Sequence, residues 1–227
     1  QATTMGDADG DGGDDNAWAV NVSGCGIYTL PFFDDFARAD GSTVDNCWIE
    51  SDNGGTQDAR ITGSKLFLQS DDAAISPRVM HTFTQQTTGY LRWTFEFDWA
   101  RNPTGLENGY EVWMQLGDSA QMQTIGGAGD HTGVGVNIFW AGTGNGMSAH
   151  EMLAYRSGGS NTELGVLSGQ HAIEVVINLD TDRYDVIVDG TTWANGVPFE
   201  NAVDIDAVRF YTNAVNTADT RFSGRTF

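Results

Sequence analysis

Apolar and polar side chains alternate with a period of two through most of this chain, and helical periodicity is nearly absent. Residues 90 to 99, YLRWTFEFDW, are the clearest case. Leu91, Trp93, Phe95, Phe97 and Trp99 fall on one side, and Tyr90, Arg92, Thr94, Glu96 and Asp98 on the other. Successive strand residues point to opposite faces, so this reads as a half-buried strand. In YEVWMQL (110 to 116), Tyr110, Val112, Met114 and Leu116 point inward and Glu111, Trp113 and Gln115 outward. In VGVNIFW (134 to 140), Val134, Val136, Ile138 and Trp140 share one face, opposite Asn137 and Phe139. IEVVINL (173 to 179) and YDVIVDG (184 to 190) form a hairpin across DTDR, and DIDAVRFY (204 to 211) follows. Shorter strands are predicted at 27 to 36, 65 to 69, 79 to 83 and 151 to 155.

Roughly ten to twelve strands, separated by Gly, Asn, Asp and Thr turns, predict an all-β fold: one antiparallel β-sandwich over 27 to 227. The 7 Trp, 12 Phe and 6 Tyr can fill its core, and 29 Gly suit many tight connections. No internal repeat or second sandwich is visible, and the composition breaks only near residue 26, where an acidic N-terminal arm (1 to 26) ends.

Charge narrows the partners. The formal net charge of -20 repels phosphate backbones and anionic lipid, so no nucleic-acid or membrane-surface partner is expected. No apolar run is long enough to span a bilayer. The two cysteines, Cys25 and Cys47, are widely spaced without a CxxC, which reads as one disulfide, two free thiols being the alternative. With Gln1 in first place and no leader, the chain reads as a mature secreted protein.

In the arm, DADGDGGDDN (7 to 16) sets Asp7, Asp9 and Asp11 at alternate positions before Gly12. Alternate aspartates on a curled backbone can converge on Ca2+. The twelfth position counted from Asp7 is Trp18, which excludes an EF-hand. Asp7, Asp9, Asp11, Asp15 and Asn16 match the thrombospondin type 3 calcium repeat, D-x-D-G-D-G-x-x-D-N, and the resemblance implies a structural Ca2+ held by these residues. A solvated acidic tail is the competing reading.

LPFFDDFARADGSTVDNCWI (30 to 49) resembles the opening of bacterial laminin-G and concanavalin A-like jelly-roll domains, HAIEVVINLDTDRYDVIVDG (171 to 190) their penultimate hairpin, and FSGRTF the start of their closing strand. The resemblance implies a jelly roll. In the family the closing strand continues beyond this point, so an unpaired edge is expected here. A calcium repeat ahead of such a domain resembles secreted bacterial surface proteins.

The fold leaves function open. Glu96 and Asp98 share a face with α-carbons about 6.5 to 7 Å apart. Laminarinase-like sandwich enzymes, however, carry Glu-x-Asp-x-Glu, and here Ala100 stands at the third position. Sandwich alginate lyases carry a Gln-x-His strand, which is not found, and His81, His131, His150 and His171 are scattered. Catalysis is therefore not expected. Sugars are held by aromatic faces flanked by polar groups. Trp113 between Glu111 and Gln115 is the first candidate, Phe139 with Asn137 the second, and Tyr90 with Arg92 could extend the same face. Packing of Trp113 and Phe139 beneath a loop or a subunit is the alternative. The leading expectation is a non-catalytic lectin-like module that binds a polysaccharide or cell-surface glycan. The next is a protomer of an extracellular homopolymer, joined through the arm and an unpaired edge strand. A glycan-degrading enzyme comes third.

Overall fold

The computed structural model describes residues 29–51, 57–70, 77–99, 110–122, 131–143, 146–149, 151–214 and 220–223. The acidic arm, with Asp7, Asp9, Asp11, Asp15, Asn16 and Cys25, lies outside them. Cys47 is disulfide-bonded.

The fold is an antiparallel β-sandwich, as the alternation predicts, and of jelly-roll type, as the family resemblance implies. Fourteen strands are described: β1 (Ile49–Ser51), β2 (Gln57–Ile61), β3 (Leu66–Ser70), β4 (Arg78–Gln86), β5 (Tyr90–Trp99), β6 (Tyr110–Gly117), β7 (Val134–Ala141), β8 (Met152–Ser157), β9 (Ser160–Val166), β10 (Gln170–Asn178), β11 (Arg183–Val188), β12 (Thr191–Pro198), β13 (Ile205–Ala214) and β14 (Thr220–Ser223). One short helix, α1 (Ser119–Met122), follows β6. Sheet one runs β1-β4-β13-β6-β7-β8-β9, and sheet two β12-β11-β10-β5-β14-β3-β2.

The inward sides of both sheets form one core. Val112, Met114, Ile138, Trp140 and Phe210 from sheet one meet Leu66, Trp93, Phe95, Val175 and Tyr184 from sheet two. Each fully buried large apolar side chain contributes roughly 1.5–3 kcal/mol. The β10–β11 pair is the expected hairpin, with Ile173 opposite Val188 and Asn178 opposite Arg183.

Three expectations need correction. Residues 29 to 36 form no strand, although Phe32 and Phe36 are buried. Asp34 Oδ1 accepts from Phe36 N (2.8 Å) and Asp35 Oδ1 from Ala37 N (2.8 Å), so side chains take the place of ladder partners. Val134 leaves the face of Val136 and Ile138 and packs on the opposite side with Met80, Met122 and Ala207. The cause is a register shift between Leu116 and Gly117, where β7 carries an extra residue. Finally, β14 is not an unpaired edge, since it pairs with β3 on one side and β5 on the other.

Candidate functional site

The outer face of sheet one collects most of the polar and aromatic residues singled out above. Read across the strands, one row runs Tyr211, Trp113, Phe139, Ala154, Glu163. The row beside it runs Met80, Arg209, Gln115, Asn137. Glu111 stands one row further on, opposite Asn213 and Ala141. Trp113, Gln115, Asn137 and Phe139 are thus brought together. Tyr90 and Arg92 are not, because β5 belongs to sheet two. They line a separate, mainly apolar cavity of about 350 Å³ with Leu30, Pro31, Phe83 and Leu116. Tyr90 is hydrogen-bonded by Asn178 (3.0 Å), and Arg92 pairs with Glu174 (3.0 Å).

The face is no open aromatic groove. Trp113 is 3% exposed, and Phe139, Gln115, Asn137 and Arg209 are fully buried. Trp113 stacks on Phe139 (centroids 4.3 Å apart, planes at 25°) and lies parallel to Tyr211 at 5.9 Å. Met147 and Met152 complete this cluster. Ser148 donates from N (2.6 Å) and Oγ to Glu163, fastening the Met147 loop to β9. The two bonds, that from the hydroxyl being the stronger, hold the Glu163 carboxyl below its usual pKa.

The other cover comes from the connection between β6 and β7. Asp118 caps α1, its Oδ1 accepting from Ala120 N (2.9 Å) and Gln121 N (3.3 Å). Asp206 accepts from Ser119 N (2.5 Å) and Oγ (2.8 Å), which ties α1 to β13. The two ends of the connection meet at Gly117 and Gly133, where Asp118 N donates to Gly133 O (2.8 Å). A Cβ on Gly117 would stand 2.0 Å from Gly133 O, and Gly133 has φ +73, so both positions require glycine. This turn sets His131, whose carbonyl accepts from Val134 N (3.2 Å) and Asn201 Nδ2 (2.8 Å). The half-buried imidazole reaches Trp113, with centroids 4.6 Å apart.

Beneath it runs a polar chain. Arg209 donates from Nε (2.8 Å) and Nη2 to Gln115 Oε1, and from Nη1 to Met122 O (2.8 Å). Gln115 Nε2 donates to Asn137 Oδ1 (2.8 Å), and Asn137 Nδ2 lies 3.1 Å from His131 Nδ1. The Arg209 guanidinium also sits 5.2 Å from the Tyr211 ring centroid. Among the described residues no group of three or more His, Cys, Asp or Glu could hold a metal ion.

Sequence reasoning passed over Arg209, Tyr211 and His131. Arg209 and Tyr211 sit two apart in DIDAVRFY, a pattern legible as one face, but their burial depends on α1. His131 lies in a glycine-rich connection with no periodicity. Gln115 and His131 come within 3.4 Å of each other through space, where a search for Gln-x-His along one strand finds nothing. Of the other histidines, His81 is buried in the inter-sheet core, His171 bonds Asp189 (2.7 Å), and His150 lies outside the described residues. Glu96, on sheet two, accepts from Gln170 Nε2 (2.8 Å).

No family model matches the sequence, and no curated protein does. Solved structures share the fold. A sialidase superposes with a TM-score of 0.63 at 14% identity, covering 85% of this chain and 18% of the sialidase chain. A pseudo β-1,3-glucanase of Mycobacterium tuberculosis gives 0.56 at 15%, covering 86% of this chain and 96% of that one. An endo-1,3-β-glucanase from Streptomyces sioyaensis gives 0.55 at 14%, covering 86% and 93%. The neighbours are mostly glycan-active enzymes, which overturns the expectation of a non-catalytic lectin-like module and of no enzyme. The chain spans under a fifth of the sialidase's length. No helix among the described residues is long and apolar enough to cross a membrane.

Proposed function

We propose that this chain is a glycan-degrading domain of a secreted protein, and that it meets its polysaccharide at the outer face of sheet one, around His131 and Trp113. One observation carries the reading: a half-exposed imidazole is tilted against a tryptophan ring and bonded to a buried Arg–Gln–Asn chain. A positioned, partly exposed imidazole can bond a sugar oxygen, and the buried Trp113 backs the ring. The kinship in fold with glucanases and a sialidase supports a glycan as the partner.

The test is a panel of neutral and uronate polysaccharides, read both for new reducing ends and for the absorbance of unsaturated products. Cleavage of at least one polymer is expected, with the rate falling about 10²-fold or more in His131→Ala. An absence of product from every polymer, or full activity in His131→Ala, overturns the assignment.

A further inference from the structure

The chain of hydrogen bonds under His131 has a direction, and the direction is set at one end. A guanidinium has five N–H donors and no acceptor. Arg209 is fully buried, and it turns Nε and Nη2 onto the side-chain oxygen of Gln115. That fixes Oε1 of Gln115 toward β13, and its NH2 group therefore faces β7. There it donates to Asn137 Oδ1 at 2.8 Å. Asn137 in turn has only its NH2 group to present to His131, at 3.1 Å from Nδ1. Gln115 Nε2 approaches the same ring nitrogen, at 3.4 Å.

Amide groups and imidazoles can usually be turned over to suit a neighbour. Here one reversal requires all of them. A proton on His131 Nδ1 would need Asn137 Oδ1 in front of it. Turning Asn137 would set its NH2 against that of Gln115, and turning Gln115 would set NH2 against the guanidinium. Arg209 cannot accept, so the series cannot run backwards.

We infer that His131 is held as the neutral imidazole with its proton on Nε2, by a one-way relay from Arg209 through Gln115 and Asn137. The ring then carries its N–H donor at Nε2 and keeps its lone pair turned inward. Arg209, Gln115 and Asn137 are positioning residues: they act through His131 and are themselves fully buried. The tautomer stands without the glycan reading above.

The experiment is long-range 1H–15N correlation on the uniformly labelled chain near neutral pH, with the His131 signals identified by their loss in His131→Gln. The expected pattern has Nε2 protonated and Nδ1 bare. An Nδ1–H tautomer or an imidazolium pattern overturns the proposal. Asn137→Asp keeps the shape but presents only acceptors, so His131 should acquire a proton on Nδ1; an unchanged pattern also counts against the relay. Should that variant not fold, Gln115→Glu serves. It still accepts from Arg209 but cannot donate onward, and His131 should then lose its single-tautomer pattern. Retention of the wild-type pattern in that variant refutes the relay. A protein that cleaves no polysaccharide yet shows the Nε2–H tautomer refutes the glycan reading and leaves the relay intact.

Discussion

The outer faces of the two sheets obey the same alternation and meet different fates. On sheet two, Tyr90 is 71% exposed and the Arg92 side chain 70% exposed, and polar cross-strand pairs such as Arg92–Glu174 lie in water. On sheet one the corresponding positions carry Trp113, Gln115, Asn137 and Arg209, and they are as buried as the inter-sheet core. Alternation says which side of a sheet a residue takes; it does not say what covers that side. The cover on sheet one comes from α1, whose Met122 carbonyl receives Arg209, and from the loop carrying Met147. Polar groups placed under such a cover must bond one another, which is why a directed chain forms there.

The widest gap between the faces should appear on truncating their aromatics. Trp113→Ala is expected to cost about 3–5 kcal/mol in urea unfolding, as for other buried tryptophans, against about 0.5 kcal/mol or less for Tyr90→Ala. Similar losses at the two positions would erase the distinction.

Acid should act most strongly on the core between the two faces. His81 is packed against Phe32 (4.0 Å) and Trp48 (5.3 Å), and burial, partly offset by Asp34, lowers its pKa from 6.5 to about 4. Above pH 6.5 it is neutral folded or unfolded. Between 6.5 and about 4 only the unfolded chain takes the proton, so stability falls with pH, by about 3 kcal/mol in all. For Asp34, burial alone would raise the pKa. The Arg38 ion pair (2.7 Å) and bonds from Phe36 N and Trp48 Nε1 outweigh it and hold the carboxyl below its usual range. Its stabilisation is present above the ordinary carboxylate pKa and is lost below it, which extends the fall to lower pH. Chemical denaturation at a series of pH values measures the slope, and His81→Phe should flatten it between pH 6.5 and about 4; a slope unchanged in that variant would place its origin elsewhere.

Gln115→Ala should cost about 1–3 kcal/mol, the penalty for leaving buried polar partners of the relay unsatisfied. Thermal melts compared with Gln170→Ala, on the outer face of sheet two, sharpen the contrast; equal midpoints would mean that the relay contributes nothing to the fold. The smallest effect belongs to Arg92→Ala, about 0–1 kcal/mol and fading with added salt, since the Arg92–Glu174 pair is solvent-exposed.

Apart from the stretch 27 to 36, the strands that the pattern predicts are all interior to their sheets: β3 to β8, β10, β11 and β13. It leaves out the four edges, β1, β2, β9 and β12, and the short interior strand β14, which only the family resemblance pointed to. SNTELGV in β9 and TTWANGVP in β12 have no apolar side to declare, because an edge strand is half wetted and lies over the rim of the core. In β12 the Gly and Pro that look like a turn are accommodated by register shifts against β11. At the site, Trp113, Gln115, Asn137 and Phe139 were legible as outward positions of two strands. Their neighbours Arg209, Tyr211 and His131 were not, since contact between them depends on β13 inserting between β4 and β6 and on where one connection lands.

By itself the sequence determined the all-β class, the inward faces of the central strands and the turns between them, because period two and turn chemistry are local. Strand order, the bulge that moves Val134, the pairing of β14 on both sides and the burial of a charged relay were decided only by the tertiary structure. Each depends on groups far apart in the chain, whose hydrogen bonds can be satisfied only once both sheets are assembled and one of them is covered.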